Sequence, residues 1–100
     1  MYGTVGKFTV KPDRVEEFLA LQDEWTETMK PRLPKGGAMM MYRLDSDPTV
    51  FFVAAAAPDK EAYFTLADDP EQDKWFRRVH ECLASEPEWN DGEVVRHDFD

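Results

Sequence analysis

The sequence has a single cysteine and no apolar run that approaches the length of a membrane span. Because Cys82 stands alone, no intrachain disulfide can form, and a reducing compartment is the simpler interpretation. The N-terminal residues lead directly into a strand-like pattern, without the basic region and apolar stretch of a signal peptide. A spanning helix needs about 20 mostly apolar residues in a row. These absences predict a soluble, cytoplasmic protein.

Basic residues are also scarce. Lysine and arginine total 12 against 21 aspartates and glutamates, which gives a net charge of −9. Binding to a nucleic-acid backbone requires a concentrated basic face, and an anionic membrane surface attracts the same kind of charge. The composition therefore argues against nucleic acid and against membrane as partners.

Signatures of metal and nucleotide-cofactor sites are missing as well. The two histidines stand beside acids, in the pairs His80-Glu81 and His97-Asp98, whose side chains point apart. No HxxxH, HExxH or CxxC spacing occurs, and no glycine-rich phosphate loop follows a strand. We therefore expect no metal and no nicotinamide or flavin cofactor, and we expect Cys82, on the apolar face of its helix, to be an inert thiol.

The most informative feature that is present is the segment Val50 to Ala57. Neither of its two sets of alternate positions, which would face opposite sides of a strand, carries a polar side chain. A strand that is apolar on one face needs one cover, so a strand that is apolar on both faces needs two. The preceding segment, Ala38 to Leu44, is nearly as apolar. Both segments therefore predict a sheet with two covered faces.

The remaining pattern divides the chain into alternating strands and helices. Tyr2 to Val10 predicts a strand that stops at Lys11-Pro12, after which Asp13, paired with Glu16, predicts a helix cap. Apolar residues at helical spacing then continue to Met29. The further elements are a hairpin of Ala38 to Leu44 and Val50 to Ala57, a helix from Asp59 that restarts at Asp69-Pro70, and a last strand from Glu93 to Phe99.

This order, β-α-β-β-α-β, is typical of the ferredoxin-like fold, an α+β architecture with an antiparallel four-stranded sheet and helices on one face. A chain of 100 residues fits one domain, residues 1–100. Its helices can cover only one face of the sheet. A large exposed apolar patch is unusual on a soluble monomer, so we predict a homodimer in which two sheets face each other.

The chain resembles the antibiotic biosynthesis monooxygenase-like (ABM) branch of the dimeric α+β barrel superfamily. The resemblance lies in the Pro12-Asp13 entry into the first helix, the apolar hairpin, the second helix broken at Pro70, and the closing segment from Glu86 to Val94. It implies a dimeric α+β barrel and a cofactor-free oxygenase of polyketide-type phenols. Haem-degrading members use an asparagine, tryptophan and histidine set. This sequence does not match that set, because its first strand has no asparagine and its Trp75 to His80 spacing is short.

Gln22 is the polar residue that the helical pattern singles out. It lies near the centre of the apolar stripe formed by Phe18, Trp25 and Met29. A core glutamine bonded to backbone or water is the commoner explanation. The alternative is a hydrogen-bonding group inside a mostly apolar ligand cavity between helix and sheet, with Trp25 beside it.

His80 and two further aromatic residues complete the candidate site. His80 lies on the flank of its helix, where it could remove a phenolic proton as a general base, although a histidine at the solvent edge without a role is commoner. Trp75 and Tyr63 could stack on a flat ligand, or could simply be core aromatics. The sequence leaves three functions open: an oxygenase of an electron-rich aromatic, a non-catalytic dimer that binds a small apolar ligand or is purely structural, and a haem protein with His80 pointing inward.

Overall fold

The structure, a computed structural model, describes residues 1–98. It contains four strands, β1 to β4, and three helices, α1 to α3, with short 3-10 turns at Pro12–Arg14 and Lys30–Arg32. The strands are β1 (Tyr2–Thr9), β2 (Ala38–Arg43), β3 (Val50–Ala57) and β4 (Glu88–Glu93), and the helices are α1 (Val15–Thr28), α2 (Lys60–Ala67) and α3 (Pro70–Glu81).

The strands form one antiparallel sheet in the order β2-β3-β1-β4. The two apolar segments pair as a hairpin, with Met41 opposite Val53 and Tyr42 opposite Phe52. Because β1 lies between β3 and β4, the two ends of the chain meet in the same sheet. The predicted α+β class and the ferredoxin-like order of elements are confirmed.

The helices pack on one face of this sheet. Phe8 and Phe51 are register partners on that face, and they meet Phe18 of α1 and Val79 of α3 in a buried cluster. Ring centroids of Phe18 and Phe51 are 4.9 Å apart. This core holds α1 and α3 against the central strands, and it therefore fixes where the side chains of the candidate site lie.

The opposite face of the sheet, which we call the open face, carries uncovered apolar side chains on its β2-β3 half. Met40 and Tyr42 are 57% and 55% exposed, and Val5 of β1 is 47% exposed. Phe52 lies on the same face as Tyr42, its register partner, and is half-buried. The neighbouring half is polar, with an ion pair of 3.8 Å between Lys7 and Glu88. A single copy of the chain thus covers β3 on only one side.

Two of the three predicted helix N-caps are present in the structure. The carboxylate of Asp59 accepts a hydrogen bond from the backbone N–H of Ala62, and that of Asp69 accepts one from the N–H of Glu71. The predicted cap at Asp13 is wrong. This residue lies inside the 3-10 turn, and α1 begins after Arg14 without a side-chain cap. Pro12 sets the turn first, so α1 begins at Val15, one residue later than a cap at Asp13 implies.

The last strand was also predicted incorrectly. Instead of Glu93 to Phe99, the strand is Glu88–Glu93, and Val94 to Asp98 form no strand; Phe99 lies outside the described residues. Asp91-Gly92 looks like a turn in sequence, yet both residues pair with β1. Tertiary pairing overrides this weak local preference, because β1 needs a partner on its free edge.

Trp89 anchors β4 on the helix-facing side of the sheet. Its register partner is Gly6, and a β-carbon at Gly6 would lie 2.8 Å from the indole ring. The ring meets Phe8 edge-on at 5.2 Å and Phe76 of α3 at 5.7 Å. Because Gly6 has no side chain, the indole ring of Trp89 can pack directly against the backbone of the sheet.

We expect Gly6→Ala to displace the Trp89 ring and to lower the free energy of unfolding by about 1–3 kcal/mol, the usual cost of overpacking. Gly92→Ala is the control, because a β-carbon at Gly92 meets no atom within 4 Å. Urea unfolding measures the stability, and near-ultraviolet circular dichroism reports the tryptophan environment. Equal stability of the two variants would contradict the contact.

Candidate functional site

A row of aromatic rings runs from α1 across α3 to the edge strand β4. The ring centroids of Trp25 and Trp75 are 6.3 Å apart, those of Trp75 and Phe76 are 6.5 Å apart, and those of Phe76 and Trp89 are 5.7 Å apart. Trp89, at the end of the row, is 47% exposed. The structure thus brings together two of the predicted residues, Trp25 and Trp75, and adds an exposed indole at the edge of the sheet.

The two predicted tryptophans also join α1 to α3 through hydrogen bonds. Trp25 donates its indole N–H to Oε1 of Gln72 at 2.7 Å, and Trp75 donates its own to the backbone oxygen of Leu21 at 2.6 Å. Both residues are half-buried. Their polar atoms are therefore satisfied within the protein, and what they can offer to a ligand is ring surface.

Gln22 is half-buried and lies on α1 beside this row. Its side-chain N–H donates to the backbone oxygen of Phe18, one turn earlier, at 3.3 Å. This is the backbone-bonded arrangement expected of an ordinary core glutamine. Its role in ligand binding stays a prediction.

Tyr63 of α2 forms a polar contact with β4 within aromatic surroundings. Its hydroxyl donates to Oδ1 of Asp91 at 3.0 Å, and its ring meets Tyr2 edge-on at 5.2 Å. Burial, followed by the hydrogen bond to the Asp91 carboxylate, raises the pKa of Tyr63 to about 12. At neutral pH the group is therefore a protonated hydroxyl that can take part in hydrogen bonding but cannot act as a base.

His80 lies on the exposed flank of α3. Its side chain is 47% exposed, and its Nε2 lies 3.0 Å from both carboxylate oxygens of Glu86. Its ring centroid is 6.3 Å from that of Phe76, so it adjoins the aromatic row. For His80 to act as a base here, the contact with Glu86 would have to open, or it would have to orient the ring.

Asp91 and Trp89 were not predicted as site residues. Both occupy the helix-facing side of β4, opposite Thr4 and Gly6 of β1. The alternation of Trp89 and Asp91 would have indicated a shared face if the segment had been recognised as a strand. The turn-like dipeptide Asp91-Gly92 concealed that pattern.

Two surface grooves lie away from the Tyr63 contact. One, of about 480 Å³, runs between α1 and α3 and includes Trp75 together with Glu24 and Arg78. Arg78 and Glu24 bridge it with an ion pair of 2.6 Å. The other, of about 450 Å³, lies beside α2 and is lined by Arg32 and Leu66 among others. Neither groove is the predicted cavity between helix and sheet around Gln22.

Cys82 is fully buried at the end of α3 and donates its thiol hydrogen to Oε2 of Glu17 at 2.9 Å. Burial, together with the Glu17 carboxylate, raises the pKa of Cys82 to about 11. The thiol therefore stays protonated at neutral pH, which agrees with an inert role.

Residues 1–98 contain no group of three or more histidine, cysteine, aspartate or glutamate side chains arranged to hold a metal ion. Within the same residues, no helix combines the length and the apolar character that crossing a bilayer requires.

Comparison with solved structures places this chain among α+β proteins of the ABM type by fold. No family model matches the sequence, and no curated protein matches it. The predicted resemblance to the ABM-like branch is confirmed by structures at TM-scores of 0.76–0.84. The structures described next share less than 25% sequence identity with this chain, so the likeness to them defines the fold alone.

Three of these structures illustrate the likeness. A protein from Caulobacter crescentus, provisionally named an antibiotic biosynthesis monooxygenase, has a TM-score of 0.84 at 17% identity, over 95% of this chain and 90% of that one. A protein from Nitrosomonas europaea with the same provisional name has a TM-score of 0.81 at 21% identity, over 96% and 100%. A point variant of SnoaB, a cofactor-independent oxygenase from Streptomyces nogalater, has a TM-score of 0.80 at 16% identity, over 96% and 94%.

The Tyr63 hydroxyl gives a pH-dependent prediction. Its pKa in the folded protein, about 12, exceeds the ordinary value of 10.0. Between these values the folded state keeps a proton that the unfolded state has lost, so stability falls as pH rises. We expect the free energy of unfolding of the wild type to fall more steeply from pH 10 to pH 12 than that of Tyr63→Phe, measured by urea unfolding at each pH. Parallel pH profiles would show that the phenol is not held as described.

Proposed function

We propose that this protein is a cofactor-independent monooxygenase that acts on an electron-rich aromatic substrate of the polyketide-phenol type. The observation that carries the proposal is the row of rings ending in the half-exposed Trp89, with His80 beside Phe76 and with the hydroxyl of Tyr63 bonded to Asp91 on the same strand as Trp89. The likeness of fold to a cofactor-independent oxygenase supports it. A flat, apolar substrate fits such a surface because pockets for small molecules are mostly aromatic, with a few polar groups that fix orientation.

The chemistry needs little from the protein. His80 takes a proton from the substrate, and the resulting electron-rich anion reduces dioxygen directly. One oxygen atom forms a bond to the reacting carbon, and the other leaves as water. For an anthrone, the two hydrogens of the methylene group are lost and a carbonyl group replaces them. Trp75 and Trp89 would hold the rings, and Tyr63 and Gln22 would orient polar groups, so that proximity and exclusion of water assist the reaction.

Purified protein should consume dioxygen with a hydroxylated anthrone, and it should continue to do so after treatment with a chelator. We expect His80→Ala to lower kcat by roughly 10²–10⁴, the usual contribution of a general base. An oxygen electrode measures the rate, and the quinone product is identified by mass spectrometry.

His97→Ala serves as the control, because His97 is exposed and lies beyond β4. It should keep the wild-type rate. A rate that His80→Ala leaves unchanged would remove His80 as the base, and loss of turnover on chelation would contradict a cofactor-independent reaction.

The second candidate is a dimer that binds a small apolar ligand without catalysis. The contact of His80 with Glu86 favours it, because a histidine held by a carboxylate on the surface is often structural. The two functions differ in one measurable property: a binding protein retains the aromatic ligand unchanged under air, whereas an oxygenase converts it.

A haem-binding function does not fit the residues present. It requires an inward-pointing histidine, but His80 is exposed and its Nε2 faces Glu86. The other histidine, His97, is exposed beyond the last strand. We therefore derive no haem chemistry for this chain.

The proposed working unit is a homodimer formed by the open face. Met40, Tyr42 and Val5 expose apolar surface there, and a second copy is the commonest cover for such a patch. Phe52 lies on this face, whereas Phe51 is 1% exposed within the core. Phe52 is therefore the residue whose replacement tests the interface.

Sedimentation at micromolar concentration should give about twice the 11.6 kDa chain mass. Phe52→Asp should give the mass of one chain, because a carboxylate in the apolar contact would be desolvated without a partner. Leu19→Asp is the control, since Leu19 is also a large exposed apolar residue but lies on α1. A well-folded wild-type monomer would overturn the dimer.

A further inference from the structure

The contact between Tyr63 and Asp91 has a directional property that matters for a ligand. A phenol has one hydrogen to donate, and the Tyr63 hydroxyl donates it to Oδ1 of Asp91 at 3.0 Å. A carboxylate can only accept, so the direction of this bond is fixed. The oxygen of Tyr63 can then accept a hydrogen bond but not donate one, and the Thr4 hydroxyl also lies within hydrogen-bonding reach of it.

The surroundings of this oxygen suit the edge of a flat ligand. Asp91 and Trp89 are two residues apart on the helix-facing side of β4, about 7 Å along the strand. Their register partners on β1 are small, Thr4 and Gly6. Trp89 is 47% exposed and packs against Phe76 of α3. An aromatic side chain and the partner of a hydrogen-bond acceptor therefore follow one another on the same face of β4.

The charge at this position also selects the form of the ligand. The Asp91 carboxylate already places one negative charge 3.0 Å from the Tyr63 hydroxyl. Burial first, and then this carboxylate, raises the pKa of Tyr63, so the site disfavours a second negative charge. A ligand phenolate would meet the same repulsion, whereas a neutral hydroxyl would not.

We propose that Tyr63 and Asp91 form a selector for a neutral aromatic hydroxyl, in which Asp91 positions Tyr63 to accept the hydrogen of the ligand while Trp89 and Phe76 hold its rings. The inference rests on the proposed function for its link to turnover, but the binding preference stands independently. In the oxygenase, the anchored hydroxyl would keep its proton while the base acts at another position of the substrate.

The test compares two ligands of nearly the same shape, beta-naphthol and its methyl ether, by isothermal titration calorimetry at neutral pH. The first can donate a hydrogen bond and the second cannot. We expect the wild type to bind beta-naphthol about five- to tenfold more tightly, the equivalent of one neutral hydrogen bond. Equal affinities, or no binding of either ligand, would overturn the inference.

Two variants test the roles of the pair. Tyr63→Phe keeps the ring but removes the acceptor, so the two ligands should bind equally. Asp91→Asn should reduce the preference for beta-naphthol. The amide N–H of asparagine can donate to the Tyr63 oxygen, and the hydroxyl hydrogen of Tyr63 is then free to bond the oxygen of the methyl ether. A purely structural Asp91 would weaken both ligands alike and leave their ratio unchanged. An unchanged ratio in either variant would overturn the assignment.

Glu93→Gln is the matched control. Glu93 lies on the same face of the same strand, opposite Tyr2. The Glu93→Gln variant loses one carboxylate charge, as Asp91→Asn does, and it should keep the wild-type preference for beta-naphthol over the methyl ether. Loss of the preference in this variant would mean that general charge, and not the bond to Tyr63, sets the ratio.

Turnover separates this inference from the proposed function. If the protein consumes no dioxygen yet prefers beta-naphthol, the oxygenase proposal fails and the selector stands. If it oxidises an anthrone but does not distinguish the two naphthalenes, the selector fails and the oxygenase stands.

Discussion

Burial of the central strand β3 is the constraint on which the rest of this structure depends. The side chains of β3 are apolar on both faces of the sheet, so both faces have to be covered. Helices α1 and α3 supply one cover through Phe18 and Val79. The same packing places the candidate site on the helix side and leaves the open face uncovered in a single copy. The apolar character of one strand thus determines which face of the sheet the helices cover and which face stays exposed.

Patterns in the sequence predicted those parts of the fold that depend on local periodicity. The hairpin, the helical stripe of α1, and the helix restart at Asp69-Pro70 could all be recognised because apolar spacing, proline and capping carboxylates act within a few residues. The last strand could not. Its pairing with β1 depends on residues more than eighty positions away, and Trp89 over Gly6 stabilises a segment whose own residues favour a turn.

The candidate site shows the same division. The amphipathic pattern correctly indicated that His80 lies on a helix flank and that aromatic residues gather near it. The bond from Tyr63 to Asp91 joins residues 28 positions apart on two different elements, and no spacing rule relates them. Gln22 bonds to the backbone of its own helix, which is the commoner of the two interpretations that its central position allows.

The indole hydrogen bonds of Trp25 and Trp75 have a mechanical consequence. Together they tie α1 and α3 into one rigid body, because each bond crosses between the two helices in a different place. Helix α2 is anchored separately, by the hydrogen bond of Tyr63 to Asp91 of β4 and by its edge-on contact with Tyr2. The break between α2 and α3 is itself held by an ion pair of 3.1 Å between Asp69 and Arg32. The distance between Tyr63 and Trp89 therefore depends on two anchors that share no residue, one for α2 and one for α1 with α3.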